Sequence, residues 1–398
     1  MLKETEIFEN ISGEEVVDLV KDLIRIPSHA KAKSQEKKAA HFLADKLKKE
    51  GIDVRLQKVE DDRFNVIGMI QGESKGRSLI LNGHLDTVPP SPEMIDPYNP
   101  KLRNGKLYGR GAADMKGAIG AMVYSLIAIK RSGITLDGNL IFTGVIGEES
   151  PGHGGTGYMV KYGPKADMAI VGEPTNLKIV VTHKGVDRIK INIKGKAAHS
   201  STPQRGVNAI SKATKFIHAI EKDLIPELNK RKHNLLGSPT INIGIIEGGI
   251  NPNTVPDNCV IQIDRRWIPG ESPSTIMKEF EDILNHLKEN DPEFKAELKR
   301  MEYLEETPHS PLEISEDHYI VKALKKSLHK ISLSPEISGI SGWTDAALLN
   351  NQAKMPTVVF GPGSLAQAHS DVEFINVDSL LTATKIYILT ALEVCTHD

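Results

Sequence analysis

Residues 79–86 read Leu-Ile-Leu-Asn-Gly-His-Leu-Asp, a short apolar run that ends in a histidine and an aspartate two residues apart. Continuous apolar runs of this length read as buried parallel strands. In open α/β sheets, ligands gather just beyond the carboxyl ends of such strands. His84 and Asp86 therefore stand either where a metal is held or on a solvated loop that happens to carry them. The rest of the chain decides between the two.

The same arrangement recurs. Residues 139–146 read as a buried strand that leads into Gly147-Glu-Glu-Ser150, and residues 167–171 lead into Gly172-Glu-Pro-Thr175. A late strand at 357–360 runs through Gly-Pro-Gly to Ala368-His-Ser370. After a proline-rich loop at 89–100, Gly109-Arg-Gly-Ala-Ala-Asp114 opens a helix whose apolar positions, Ala118, Ile119, Met122, Val123, Leu126 and Ile127, keep a 3.6-residue period. Asp114 is expected at the helix N-terminus, where the dipole favours a carboxylate, and an N-cap role alone would account for it. One acid at a strand end is unremarkable, but His, Asp and Glu delivered by several separate strands imply a cluster. Adjacent Glu148 and Glu149 repel each other and keep their charges cheaply only in water or beside a cation.

Composition sets the frame. The chain has 398 residues, 39% hydrophobic and 26% charged, which suits two domains of an ordinary globular protein. A formal net charge of −2 gives no sign of a nucleic-acid or membrane partner, and the lysines of 46–49 read as a solvated helix face. No apolar run approaches the ~20 residues of a membrane span, and the N-terminus lacks a signal peptide's apolar core. Cys259 and Cys395 are far apart and fit neither a disulfide framework nor a zinc spacing. The expectation is a cytoplasmic, reduced protein whose metal ligands are His and carboxylates.

Helices are expected over 12–26, where Ser12-x-x-Glu15 can form a capping box, and over 35–50, with Gly51 as its stop. Strands are expected at 54–59 and 65–70. From about 183 to 304 the character changes. Ile189, Ile191 and Ile193 alternate with Lys190, Asn192 and Lys194. A helix at 206–223, strands at 240–247 and 258–267, a helix at 273–289 and a strand at 294–303 complete a βαββαβ order, the ferredoxin-like pattern. The expected fold is α/β: a mixed central sheet flanked by helices, formed by 1–183 and 305–398, with a small α/β domain of 184–304 inserted.

Imidazole and carboxylate donors without thiolates suit zinc, manganese or cobalt. Their number exceeds what one tetrahedral zinc with an open position needs, and suits two ions about 3.5–4 Å apart bridged by one carboxylate, an arrangement typical of hydrolases. A general base must still take the proton of the attacking water. Of Glu148 and Glu149, one can bind metal while its neighbour reaches the water, and Asp86 could orient the His84 imidazole.

At this point the sequence resembles the M20 metallopeptidase and deacylase family, which includes acetylornithine deacetylase, succinyl-diaminopimelate desuccinylase and aminoacylase. The segments that carry the resemblance are Gly83-His-Leu-Asp-Thr-Val-Pro89, Gly109-Arg-Gly-Ala-Ala-Asp-Met-Lys-Gly117, Gly147-Glu-Glu, Gly172-Glu-Pro-Thr and Ala368-His-Ser, spread over nearly the whole chain. The resemblance implies that His84, Asp114, Glu149, Glu173 and His369 bind two divalent metals, most simply zinc, with Asp114 bridging. It makes Glu148 the general base and Asp86 the orienting acid. It also implies that the insert is a lid used for homodimerisation.

On that lid, Ala197-Ala-His199-Ser resembles the segment whose histidine stabilises an oxyanion, often from the other subunit. Asn253, in Asn-Thr-Val-Pro256, resembles a substrate-contacting turn. In Ile263-Asp-Arg-Arg266 a guanidinium could grip a substrate carboxylate bidentately, and Arg265 is taken as the matching position with Arg266 as its solvated neighbour. Thr344 and Asp345, in Ser-Gly-Trp-Thr-Asp, fall where the family shapes its acyl or side-chain pocket. That segment departs from what a desuccinylase or a typical acetylornithine deacetylase would carry and is closer to aminoacylases. The glycines at 152, 154, 155 and 157 are read as a flexible loop beside the site, since no Walker lysine follows, and His153 and His183 as loop histidines. The leading expectation is a deacylase for an N-acyl amino acid or related amine. A dipeptidase or carboxypeptidase with the same site is the alternative, and a non-catalytic scaffold member is the reading from another class.

Overall fold

The capping signal at Ser12 is used. Its side chain accepts the Glu15 N–H at 3.2 Å and starts α1 (Gly13–Ile24), which buries Val16, Val17, Leu19, Val20, Leu23 and Ile24 along one stripe. The computed structural model describes residues 7–9, 11–73, 75–150, 154–306 and 308–396. After α1 come α2 (Lys37–Lys49), β1 (Asp53–Glu60), β2 (Arg63–Ile70), β3 (Leu79–His84), β4 (Lys101–Arg103), β5 (Lys106–Tyr108), α3 (Gly117–Ser132), β6 (Leu140–Val145), α4 (Gly154–Tyr162), β7 (Met168–Val171) and β8 (Ile179–His183). The chain continues through β9 (Gly185–Lys194), α5 (Ala209–Ala219), β10 (Thr240–Gly248), β11 (Asn258–Trp267), α6 (Pro273–Asn290), β12 (Lys295–Arg300) and β13 (Leu312–Glu313). It ends with α7 (Tyr319–Lys330), β14 (Ile337–Ile340), β15 (Thr357–Val359), β16 (Phe374–Asn376) and α8 (Val377–Cys395).

These elements fall into two units. The first comprises residues up to Val181, Ile314–Ser338 and residues from Thr344; the second comprises Thr182–Glu313 and Gly339–Trp343. In the first, the strands run in the order β1-β2-β6-β3-β7-β15-β8. The centre, β6, β3, β7 and β15, is parallel, and β1, β2 and β8 pair antiparallel to their neighbours. Every residue of β3 and β6 is buried, as continuous apolar runs predict for strands covered on both faces. Register then does the positioning. His84 lies opposite Val145, Asn82 opposite Val171, and Val171 opposite Val359. The turns after all four strands therefore open at one edge of the sheet.

Helix α3 runs beside this sheet with Gly117–Ile129 entirely buried, flanked by α1 and α8. Each fully buried Leu or Ile in it contributes about 1.5–3 kcal/mol. With the turn before it, Ala112–Ser132 spans 21 residues and contains an 18-residue window of mean hydropathy 1.3, long and apolar enough to cross a membrane, which the reading of apolar runs did not register. Every residue of that window is buried inside the unit, so a core helix explains its composition.

In the second unit, β9, α5, β10, β11, α6 and β12 follow one another, and the sheet order is β10-β11-β9-β12, all pairs antiparallel. Ile189, Ile191, Ile193, Ile261 and Ile263 face Phe216 and Phe280 of the two helices in a separate core. Two expected elements differ. The helix expected over 206–223 begins at Ala209, capped by the Asn208 side chain, and passes into a π-helical turn at Ile220–Leu224. The strand expected to reach 303 stops at Arg300. Residues Glu302–Glu306 turn helical and bury Leu304, whose N–H donates to the Met301 carbonyl.

Candidate metal centre and active site

Three loops and one turn bring imidazoles and carboxylates together at the carboxyl edge of the first unit's sheet. His84, the last residue of β3, is 2% exposed. Its Nδ1 lies 3.0 Å from the Asp86 carbonyl and its Nε2 lies 3.0 Å from Asp114 Oδ1 and 3.8 Å from Glu173 Oε1. His369, at φ 60°, sets its Nε2 3.0 Å from Glu149 Oε1 and 3.3 Å from Asp114 Oδ2. Asp114 thus turns one carboxylate oxygen to each imidazole.

The expected place of Asp114 at the helix N-terminus is corrected. It precedes α3 by three residues, in non-helical backbone (φ −126°, ψ 97°). The tight turn needs Gly111 at φ +84°, where a Cβ would meet Thr87 and the Lys116 side chain within 3 Å. Asp86 also differs from the expected orienting acid. Its nearest carboxylate oxygen is 3.6 Å from His84 Nδ1, whereas its two oxygens accept the backbone N–H groups of Glu148 (3.1 Å) and Glu149 (2.9 Å). It orients His84 through its carbonyl and holds the Glu-Glu turn with its side chain.

The electrostatics follow from packing these groups together. Burial works to lower the His84 pKa, but Glu173, Asp114 and Asp86 outweigh it and hold it well above the ordinary imidazole value. Hydrogen bonds to Asp114 and Glu149 raise His369 to about 10. Burial would raise Asp114, yet His369 and His84 hold it well below the usual carboxylate range. Glu148 and Glu173 are pushed well above theirs by burial and by the neighbouring acids, Asp345 among them.

The donor set fits divalent metal. A backbone carbonyl only accepts, so the Asp86 contact puts a proton on His84 Nδ1 and leaves Nε2 aimed at carboxylate oxygens, an alignment that needs a proton or a cation between them. His84, Asp114 and Glu149 place one donor atom each within 4.8 Å of one another. The N···O gaps of 3.0–3.3 Å are near the about 3.3 Å that separates two donors on one tetrahedral zinc.

The remaining expected residues belong to the same unit or to the second. Asp345 is buried and its Oδ2 accepts from Thr156 of α4 at 2.6 Å. Buried Thr344 accepts the Ala346 N–H and caps a turn. Gly152 and His153 lie outside the described residues. The glycines at 154, 155 and 157 lie in α4 instead of a loop, and close packing requires one of them, since a Cβ at Gly155 would strike the Ile146 carbonyl at 2.1 Å. His183 is buried within the second unit, its ring edge-on to Trp343 at 6.3 Å, and is no loop histidine.

In the second unit His199 is exposed, with Nδ1 2.8 Å from Ser201 Oγ. It forms an isolated bridge with Thr254, and the Asn253 carbonyl accepts the Ser200 N–H, so the two expected lid segments are neighbours. Arg265 does not present an open guanidinium. It is fully buried, in phase with Ile261, Ile263 and Trp267, and its Nη2 pairs with Glu271 at 2.7 Å and Glu279 at 3.2 Å. Arg266, on the other face of β11, is 30% exposed and pairs with Asp264.

Sequence reasoning missed two anchors. Buried Asn65 donates to the Gly155 carbonyl and accepts the Ile146 N–H, which fixes the end of β6. Buried Glu373 accepts from the Gly111, Ala113 and Asp114 N–H groups and from Arg110.

Residues 80–393 match the model of Peptidase family M20/M25/M40. An acetylornithine deacetylase of Proteus mirabilis is 32% identical, with 92% of this chain and 94% of that protein covered. An N-formyl-4-amino-5-aminomethyl-2-methylpyrimidine deformylase of Bacillus subtilis is 31% identical, with 94% and 93% covered. In fold, the chain is similar to a tripeptidase of Staphylococcus aureus (TM-score 0.80, 23% identity, 96% and 99% covered). It is also similar to a dinuclear metal binding peptidase of Bacillus subtilis (TM-score 0.73, 17% identity, 96% and 98% covered).

Proposed function

The chain belongs to peptidase family M20/M25/M40, and from that premise we propose that it is a dinuclear metal-dependent amidohydrolase that removes the acyl group from an N-acyl amino acid or a related amine. The observation that carries the reading is Asp114, one oxygen toward His84 and the other toward His369. His84, Glu173 and one Asp114 oxygen would hold the first ion, and His369, Glu149 and the other oxygen the second. Zinc suits these donors best, and cobalt or manganese would also be accepted. When bound, such a pair polarises the scissile carbonyl and lowers the pKa of water.

Glu148 takes the proton of the attacking water and passes it to the leaving amine. Burial and the neighbouring acids hold its pKa above the ordinary carboxylate value, which supports that double duty, since a more basic carboxylate accepts a proton more readily. His199 donates to the carbonyl oxygen as it gains charge, and Asn253 contacts substrate. The exposure of Arg266 supports it, in place of Arg265, as the guanidinium that grips a substrate carboxylate. Thr344 and Asp345 shape the acyl pocket.

The second unit acts as a lid and a homodimer contact. Strand β10 is an edge, and Ile245, Ile246 and Ile250 on and after it are 42%, 49% and 90% exposed, which supports pairing with a second copy. Buried, unbridged Cys259 and Cys395 support a reduced, cytoplasmic setting. The relatives named as a deacetylase and a deformylase support a small acyl group, whereas the tripeptidase neighbour supports the peptidase alternative. The test is kcat/KM of the zinc-loaded protein on N-acetyl, N-succinyl and N-formyl amino acids beside di- and tripeptides. Highest values on the N-acyl compounds are expected. Turnover of peptides alone would replace the deacylase reading with the alternative.

A further inference from the structure

Strand β16 pairs with β5, Phe374 opposite Tyr108, so the residue after β5 meets the residue before β16: the Gly109 N–H donates to the Glu373 carbonyl at 3.2 Å. The Glu373 side chain then turns into the loop that follows. Oε1 accepts the N–H groups of Ala113 (2.9 Å) and Asp114 (3.1 Å), and Oε2 accepts that of Gly111 (2.9 Å) and Arg110 Nη1 (2.7 Å). Glu373 and Arg110 are each 1% exposed. The backbone N–H groups that Glu373 holds belong to a turn with no helix of its own to satisfy them, because residues 114 and 115 leave helical geometry. The other end of the turn is tied down by Lys116, whose Nζ donates to the Leu23 and Ile26 carbonyls of the α1 terminus.

We infer that Glu373 is a positioning residue: it sets the backbone of the 109–114 turn so that the Asp114 carboxylate faces both imidazoles. The inference rests on the proposed metal-bridging role of Asp114. Glu373 is four residues from His369, so one short segment supplies an imidazole of the centre and fixes the backbone of the acid that faces it. A buried ion pair is weak stabilisation in itself, and the three amide contacts give this one a directional task. A glutamine keeps the size but puts an NH2 against either the Ala113 and Asp114 amides or the Gly111 amide and Arg110, donor against donor.

Glu373→Gln is tested by zinc affinity in competition with a chelator, with kcat, KM and Tm on the same samples. Zinc affinity weakened about 10–100-fold is expected, with kcat lowered and KM near wild type. Glu373→Asp, which keeps the charge for Arg110 but shortens its reach, is expected to show a smaller loss and carries the test if the glutamine variant does not fold. Leu324→Ala, in the buried face of α7, is the control for lost stability. It is expected to lower Tm at least as far and to keep wild-type zinc affinity. Wild-type zinc affinity in both Glu373 variants, or an equal loss in Leu324→Ala, would overturn the inference alone. Wild-type protein that takes up no zinc would overturn the proposed function and this inference together.

Discussion

The two units carry their candidate residues in opposite ways. In the first, His84, Asp114, Glu149 and His369 are held by one another, and Asp86, Asn65 and Glu373 fix the backbone beneath them. In the second, exposed His199 and partly exposed Arg266 bond to close neighbours in sequence, Ser201 and Asp264. The His369 ring is half exposed, but the acids it faces are buried or nearly so, and such a set of like charges survives only if the scaffold is built to hold it at fixed spacing. Exposed donors cost nothing to hold and acquire their task when substrate arrives. The contrast predicts that changes in the first unit act on metal binding or on proton transfer, and that changes at the exposed positions of the second leave metal and stability alone and act through the substrate groups they touch.

The largest effect on turnover is expected from Glu148→Gln, a fall in kcat of about 10²–10⁴-fold with metal content unchanged. Metal analysis beside steady-state kinetics checks it, and a variant that turns over at the wild-type rate removes Glu148 from the mechanism. His199→Gln is expected to cost about 10²–10³-fold in kcat, with Tm and bound metal as in the wild type, because the side chain is exposed. A matching loss of metal would erase the contrast between the units.

The adjacent arginines sharpen it further. Arg265→Met leaves Glu271 and Glu279 with the more exposed Arg231 as their cationic partner and is expected to destabilise the protein by about 1–3 kcal/mol in urea unfolding. Arg266→Met should leave stability alone and raise KM about 10–100-fold for substrates with a carboxylate. The reverse pattern would return the substrate contact to Arg265. The smallest effect concerns Asp291, whose pKa the Lys212 and Lys215 ammonium groups pull down to about 2. The folded value lies below the unfolded one, so this stabilisation is present above about pH 4 and is lost as pH falls toward 2. It amounts to about 1 kcal/mol or less. Urea midpoints of Asp291→Asn should approach those of the wild type across that window, and an unchanged gap would show the pairs to be without effect.

Much of the first unit's site could be read from the sequence because each group sits directly after an apolar run. Register in a parallel sheet then brings the ends of such runs to one edge without further information. The alternation of Ile189, Ile191 and Ile193 likewise announced a half-buried strand, and the βαββαβ order followed. What escaped was whatever depends on contacts far apart in sequence. Glu373 reads as a loop acid, since its partners lie about 260 residues away and are backbone amides that carry no residue signature. The division of labour in Asp86, carbonyl to His84 and carboxylate to the Glu148–Glu149 amides, is equally silent in a one-dimensional string. Arg265 was a different miss. Its phase with Ile261, Ile263 and Trp267 marks it as inward-facing, whereas the family resemblance points to it as a substrate contact.

The most direct test of the account is a zinc titration of chelator-stripped protein, wild type and Asp114→Asn, with amide hydrolysis followed at each addition. The account predicts that wild-type activity rises to a plateau at two zinc ions per chain. It predicts that Asp114→Asn, its shared carboxylate gone, binds at most one ion tightly and stays inactive. Full activity in the wild type at one zinc, or two tightly bound ions in Asp114→Asn, would contradict a centre built around Asp114.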